Sequence, residues 1–110
     1  MGLSLSSVPE VASDMAAVIV DAAHPKRVIL FGSRARGDAT AESDFDLMVV
    51  EEQPGDRYQE MVRLRRLLRG FRVSVDVLVV SENKYEYWRD TPGNVYHQAA
   101  TEGVTLYEAA

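Results

Sequence analysis

Three aspartates and a glycine-serine turn are the residues of this sequence whose types and spacing could do chemistry. Phe31-Gly32-Ser33-Arg34-Ala35-Arg36-Gly37 leads, across a polar stretch, to Ser43-Asp44-Phe45-Asp46-Leu47. Side chains alternate along a strand, so Asp44 and Asp46 are expected on one side while Phe45, Leu47 and Val49 turn into a core. Two carboxylates held that close repel each other unless a cation lies between them. Oxygen donors of this kind suit hard ions, magnesium above all, completed by phosphate oxygens of a substrate. Asp76 is the third candidate, a charge set among the apolar residues of Val75-Asp76-Val77-Leu78-Val79-Val80. If its strand lies beside the strand of Asp46, three carboxylates converge. Such a trio can bind two metals roughly 3.5–4 Å apart and clamp the attacking and leaving oxygens of phosphoryl or nucleotidyl transfer.

Gly32-Ser33 supplies the complement. A glycine after a strand lets the backbone turn closely against a ligand, and the amides of a helix start can cradle phosphate oxygens. The Ser33 hydroxyl can donate to a β- or γ-phosphate, and the guanidinium forks of Arg34 and Arg36 suit the charge of a triphosphate. Two positions apart on a helix, these arginines do not share a face, so one is expected at phosphate and the other at the surface or an interface. Each part alone has an ordinary reading: a turn, a loop-capping Asp pair, an edge-strand charge that discourages aggregation. Their occurrence together and in this order is what points to a site.

The elements that must position these residues follow from periodicity and punctuation. Ser7, Pro9 and Glu10 read as a capping box with proline in the first turn. Val8, Val11, Met15, Val18, Ile19 and Ala22 then recur at helical spacing up to Pro25. Strands are expected over Arg27 to Phe31, Phe45 to Val50 and Arg72 to Val80, the last with Val73, Val75, Val77 and Val79 on one face. Pro54-Gly55-Asp56 is a turn able to cap a helix from Arg57 to Arg69, with Tyr58, Met61, Val62, Leu64, Leu67 and Leu68 inward and Gly70 as its end. A helix after Ser81, a break at Thr91-Pro92-Gly93, a helix to Glu102 and an extended Val104 to Tyr107 complete the chain. Strands alternate with helices, so the class is α/β or α+β, a small sheet backed by helices.

Composition narrows the function. At 110 residues with 46% apolar and 26% charged side chains, the chain reads as a single domain, residues 1–110, with a modest core. The absence of cysteine removes disulfides, thiolate zinc sites and a cysteine nucleophile. No signal-like or membrane-length apolar run is present, which sets the expectation of a cytoplasmic protein. A net charge of −5 argues against a general nucleic-acid binder. The charge is uneven, however. Arg57, Arg63, Arg65, Arg66, Arg69 and Arg72 hold half of the 12 basic residues in one window. His24 and His97 are isolated and expected at surface or helix-end positions.

Gly32-Ser33, the ten residues that follow, and Asp44-Phe45-Asp46 resemble the signature of the DNA polymerase β-like nucleotidyltransferase superfamily. The fuller strings resemble its small stand-alone members, the minimal nucleotidyltransferases, and Asp76 matches the family's third carboxylate. The resemblance covers nearly all of the chain except the last thirty or so residues, which carry no matching motif. It implies a mixed sheet flanked by helices, a polymerase β palm-like fold, with Asp44 and Asp46 as ligands of two magnesium ions. Asp76 would be the remaining ligand and the base or organiser at the attacking hydroxyl, while Gly32 and Ser33 hold the triphosphate of ATP. Similar proteins are often antitoxins that transfer AMP to a tyrosine of a HEPN-domain ribonuclease toxin, which would make this chain part of a hetero-oligomer. Nucleic acid is not expected as a direct substrate. Two other readings are a small-molecule nucleotidyltransferase of the aminoglycoside-modifying type, and a binding module that neutralises a toxin by contact.

Overall fold

The computed structural model describes residues 9–110. Ser7 and Val8, expected to open the first helix, lie outside the described residues, and Pro9 occupies the N-cap without a side-chain cap. The first helix, α1 (Glu10–Ala23), buries Ala12, Met15, Ala16 and Ile19. It stops before Pro25, as proline requires. His24 turns left-handed there and donates its N–H to Val20 O.

Strand β1 (Arg27–Phe31) runs into the single turn of helix α2 (Ser33–Arg36). The chain then loops to β2 (Phe45–Glu51), crosses through α3 (Arg57–Leu67), and returns as β3 (Val75–Ser81). Two short helices follow, α4 (Glu82–Trp88) and α5 (Val95–Glu102), and β4 (Val104–Glu108) ends the described chain. The strand order is β3-β2-β1-β4. β1 is antiparallel to both β2 and β4, whereas β2 and β3 are parallel, so the sheet is mixed. The parallel pair needs a crossover, and α3 is that crossover.

Helices cover both faces. On one, Met15 and Ile19 of α1 and Leu64 of α3 pack with Leu68 just beyond it against Val28, Leu30, Leu47, Val49, Val77 and Val79. On the other, Tyr85 of α4 and Ala99 of α5 close over Ile29, Met48, Val50 and Val80. Met48 and Val50 share the face of Asp46 and are as buried as Val49. The face opposite the expected core is therefore itself a core, and polar only where β2 and β3 begin. Gly103 lets α5 come this near, because a Cβ there would strike Ala99 O and the Ile29 side chain.

The crossover departs from expectation in three ways. Leu64 and Leu68 are buried, one turn apart, but Tyr58 and Leu67 point outward, 63% and 44% exposed. The strip of α3 that meets the sheet is narrower than the apolar pattern of the segment suggests. The α-helix ends at Leu67, Arg69–Phe71 form a 3₁₀ turn, and Arg72 rather than Gly70 takes the left-handed conformation at φ 57°. The strand begins at Val75, not Arg72. The expected cap did form: Asp56 accepts the Gln59 N–H at 3.1 Å.

Candidate active site

The start of β2 gathers the acidic residues. Asp44 is exposed and immediately precedes the strand, and Asp46 is its second residue. Register pairs Asp46 with Phe31 of β1 on one side and with Asp76 of β3 on the other. Residues in register on neighbouring strands project to the same face, so Asp46 and Asp76 stand side by side. The crowding has an electrostatic signature. Asp46 is held above the ordinary carboxylate range, first by partial burial and then by the charges of Asp76 and Asp44. Arg36 acts on it in the opposite direction.

Gly32 closes the other wall. Its φ of 75° suits glycine, and a Cβ there would collide with Asp46 Oδ2. The turn after β1 can lie against the carboxylate only because that atom is missing. α2 starts at the next residue, so its first amides have no intrahelical acceptor and open beside the aspartates.

The two arginines of α2 diverge, as their spacing requires. Arg34 folds back over the Phe45 ring, 4.4 Å from its centroid, and donates from Nε and Nη2 to Ser43 O at 3.2 and 2.9 Å. It thereby pins the loop that delivers Asp44. Arg36 is exposed and lies 3.4 Å from both Asp38 and Glu102, which hold its guanidinium further in the charged form. Glu102 ends α5, so the C-terminal region, which carried no motif, reaches the site through this pair.

Asp76 has a partner of its own: Arg65 Nη2 of α3 donates to Oδ1 at 2.7 Å. Among the described residues, no three acidic or imidazole side chains stand close enough together to enclose an ion. The donor set nevertheless fits a hard divalent ion. It offers carboxylate oxygens without sulfur or imidazole, and a carboxylate whose charge is already opposed by like neighbours.

Sequence reasoning overlooked a second acidic cluster. Glu51 ends β2, and burial together with a hydrogen bond to Glu60 pushes it up to about 8. As a carboxylate it would leave Oε2 buried without a donor among the described residues; protonated, it can donate to Glu60. Arg63 pairs with both Glu60 oxygens, at 2.8 and 2.9 Å, and donates to Ala22 O. The Glu60-Arg63 spacing was a legible signal for half of this network. His24 and His97 are at helix ends, with Nδ1 of His97 2.8 Å from Arg89 O.

Comparison with known proteins gives the family and the fold. Residues 14–103 match the nucleotidyltransferase domain family. The chain is 35% identical over 85 residues to a Methanocaldococcus jannaschii protein named "Putative protein adenylyltransferase MJ0604", an alignment covering 74% of this chain and 78% of that protein. A second protein of the same organism, "Putative protein adenylyltransferase MJ1379", is 29% identical over 86 residues, with 74% and 86% covered. Among solved structures, a nucleotidyltransferase from Sulfolobus solfataricus, itself described as putative, superposes with a TM-score of 0.64 at 22% identity, covering 98% of this chain and 92% of that one. A toxin-antitoxin complex with AMP-PNP superposes with a TM-score of 0.62 at 20% identity, with 88% and 73% covered. These two share the fold. With the sequence match spanning most of its length, the chain belongs to the nucleotidyltransferase domain family and is a nucleotidyltransferase.

Proposed function

We propose that this enzyme transfers AMP from ATP to a tyrosine of a HEPN-domain ribonuclease toxin, with magnesium as cofactor, and so acts as the antitoxin. The observation that carries the chemistry is the register that sets Asp46 beside Asp76, with Asp44 two residues away and Gly32 packed on the Asp46 carboxylate. The names of the relatives support a protein acceptor, and the toxin-antitoxin neighbour with AMP-PNP supports the partner and the nucleotide.

In this reading Asp44 and Asp46 would hold two magnesium ions, and Asp76 would complete the set. Bound magnesium would neutralise charge on the phosphates and orient them. The first α2 amides and the Ser33 hydroxyl take phosphate oxygens. Arg36, exposed and electrostatically linked to Asp46, is the arginine that turns from Asp38 and Glu102 to the triphosphate. Arg34 stays on Ser43 and keeps the Asp44 loop in place. Asp76 orients the tyrosine hydroxyl and accepts its proton. The acceptor oxygen bonds to the α-phosphorus, the bond from that phosphorus to the bridging oxygen breaks, and pyrophosphate leaves. The protein contributes positioning and charge compensation.

Mass spectrometry of a HEPN-domain toxin co-expressed with the enzyme tests the proposal. One or more AMP additions on tyrosine with wild type, and none with Asp44→Ala/Asp46→Ala, is the expected result. Addition retained by the double variant would sink the ligand assignment. Neutralisation of the toxin by that variant without modification would favour inhibition by contact.

A further inference from the structure

Of the three aspartates, Asp76 alone accepts a hydrogen bond from a cationic side chain among the described residues. Its partner, Arg65, lies 11 residues earlier on the crossover helix α3, and the 2.7 Å contact ties that helix to the edge strand β3. Arg65 Nη2 thus engages one of the two carboxylate oxygens of the residue that stands in register with Asp46. Both members are exposed, with side chains 52% and 63% accessible. Water and salt screen such a pair, so it holds a preferred geometry at little energetic cost to open. A buried arginine in the same place would lock the site, because removing it would strand a desolvated charge.

We propose that Arg65 is a positioning residue that gates the third carboxylate. It holds Asp76 against α3 while no divalent ion is bound, and it yields that oxygen when an ion enters between Asp46 and Asp76. Arg65 then sets how tightly the site takes metal, through competition for one oxygen atom. The inference rests on reading Asp44, Asp46 and Asp76 as metal ligands.

Mn²⁺ titration of the purified protein without nucleotide, followed by electron paramagnetic resonance, measures this directly. An exposed pair of this kind corresponds to a change of up to about fivefold in an equilibrium constant. Arg65→Ala is therefore expected to bind Mn²⁺ about two- to fivefold tighter than wild type at low salt. The gain should shrink toward unity in 1 M salt. Arg65→Lys keeps the charge and should return affinity to within about twofold of wild type. Arg66→Ala removes the same charge one residue away, where no carboxylate is paired among the described residues, and should move affinity less than Arg65→Ala. Metal-free melting curves of all variants check that each is folded. Unchanged or weaker binding by Arg65→Ala, or an equal gain from Arg66→Ala, overturns the gate and leaves the ligand assignment standing. No Mn²⁺ binding by wild type, or binding that survives Asp46→Asn unaltered, overturns the ligand assignment and the gate with it.

Discussion

At the start of β2, Asp46 faces Asp76 with Asp44 nearby; at its end, Glu51 faces Glu60 of α3. Each cluster has an arginine at hand, Arg65 in one case and Arg63 in the other. In both, burial and a like-charged neighbour raise the carboxylate that sits on β2. What differs is how the crowding is relieved. Glu51 turns to the core face beneath α3, where its proton serves as the bridge to Glu60 and Arg63 clamps Glu60 from the far side. The aspartates sit at the start of the strand beside a glycine and the start of a helix, with Asp44 and Asp76 exposed to solvent. Carboxylate proximity alone does not make a metal site. The two clusters differ in their exposure to solvent.

The sharpest way to break this contrast is to neutralise one acid from each cluster. Asp46→Asn should lower the rate of nucleotidyl transfer at least about a hundredfold, since even groups that merely support a metal ligand are worth ten- to a hundredfold. Glu51→Gln, on the same strand, should leave transfer within about twofold at neutral pH, where the native Glu51 already carries a proton. Single-turnover transfer measured on both variants decides it. Comparable losses from the two would mean that the distal cluster belongs to the catalytic apparatus.

Glycine clearance can be tested next. Gly32→Ala forces a side chain into a φ of 75° and into Asp46 Oδ2. A residue strained in this way costs on the order of 1–3 kcal/mol. Urea denaturation should read that loss, and transfer should fall by more than tenfold as the carboxylate is displaced. Wild-type activity in the alanine variant would mean that the turn does not set the position of Asp46.

The distal cluster makes its own prediction through pH. Folding raises Glu51 from its ordinary 4.5 to about 8. Between these values the folded chain keeps a proton that the unfolded chain has released, so stability falls as pH rises through that window. Glu60 is lowered, chiefly by the Arg63 hydrogen bond, and its contribution is instead lost on acidification below its ordinary value. Because Glu51 is only partly buried, the alkaline loss should be on the order of 1–2 kcal/mol, well below the unscreened figure. Denaturation at pH 6 and pH 9 should show it in wild type and not in Glu51→Gln. Equal slopes in the two proteins would remove Glu51 as the cause.

Much of this contrast could be read from the sequence at one end of β2 and little at the other. β1 was placed residue for residue, and Asp46 follows from alternation along β2, whereas Asp44 lies just before the strand begins. Asp76 required a guess about which strands are neighbours, and the parallel register supports it. The Glu51 pairing resisted reading because its two acids are brought together by the crossover, and no period links a strand end to a helix nine residues later. Tyr58 and Leu67 were placed inside because an apolar residue on a helix is expected to face a core, whereas only the Leu64-Leu68 strip meets this sheet. The Arg65-Asp76 contact was missed for the same reason as the Glu51-Glu60 pair. Residue types mark candidates; which partner each one finds is a property of tertiary packing.

Arg34 gives the smallest effect and the finest test. Its acceptor is a backbone carbonyl, Ser43 O, which no residue identity could announce. Two hydrogen bonds to one oxygen and a stack on Phe45 hold the loop before Asp44, but the group is only partly buried. Arg34→Ala should therefore cost about 1 kcal/mol or less in stability. The loop amides around Thr40 and Ser43 should exchange faster, while those of β2 stay protected. If Arg34 acts only through the loop, transfer should fall several-fold through kcat with the KM for ATP little changed, because the damage is to the placement of Asp44. A rise in KM for ATP with kcat preserved would instead give Arg34 a direct phosphate contact, and the division of labour between the two arginines of α2 would have to be reversed.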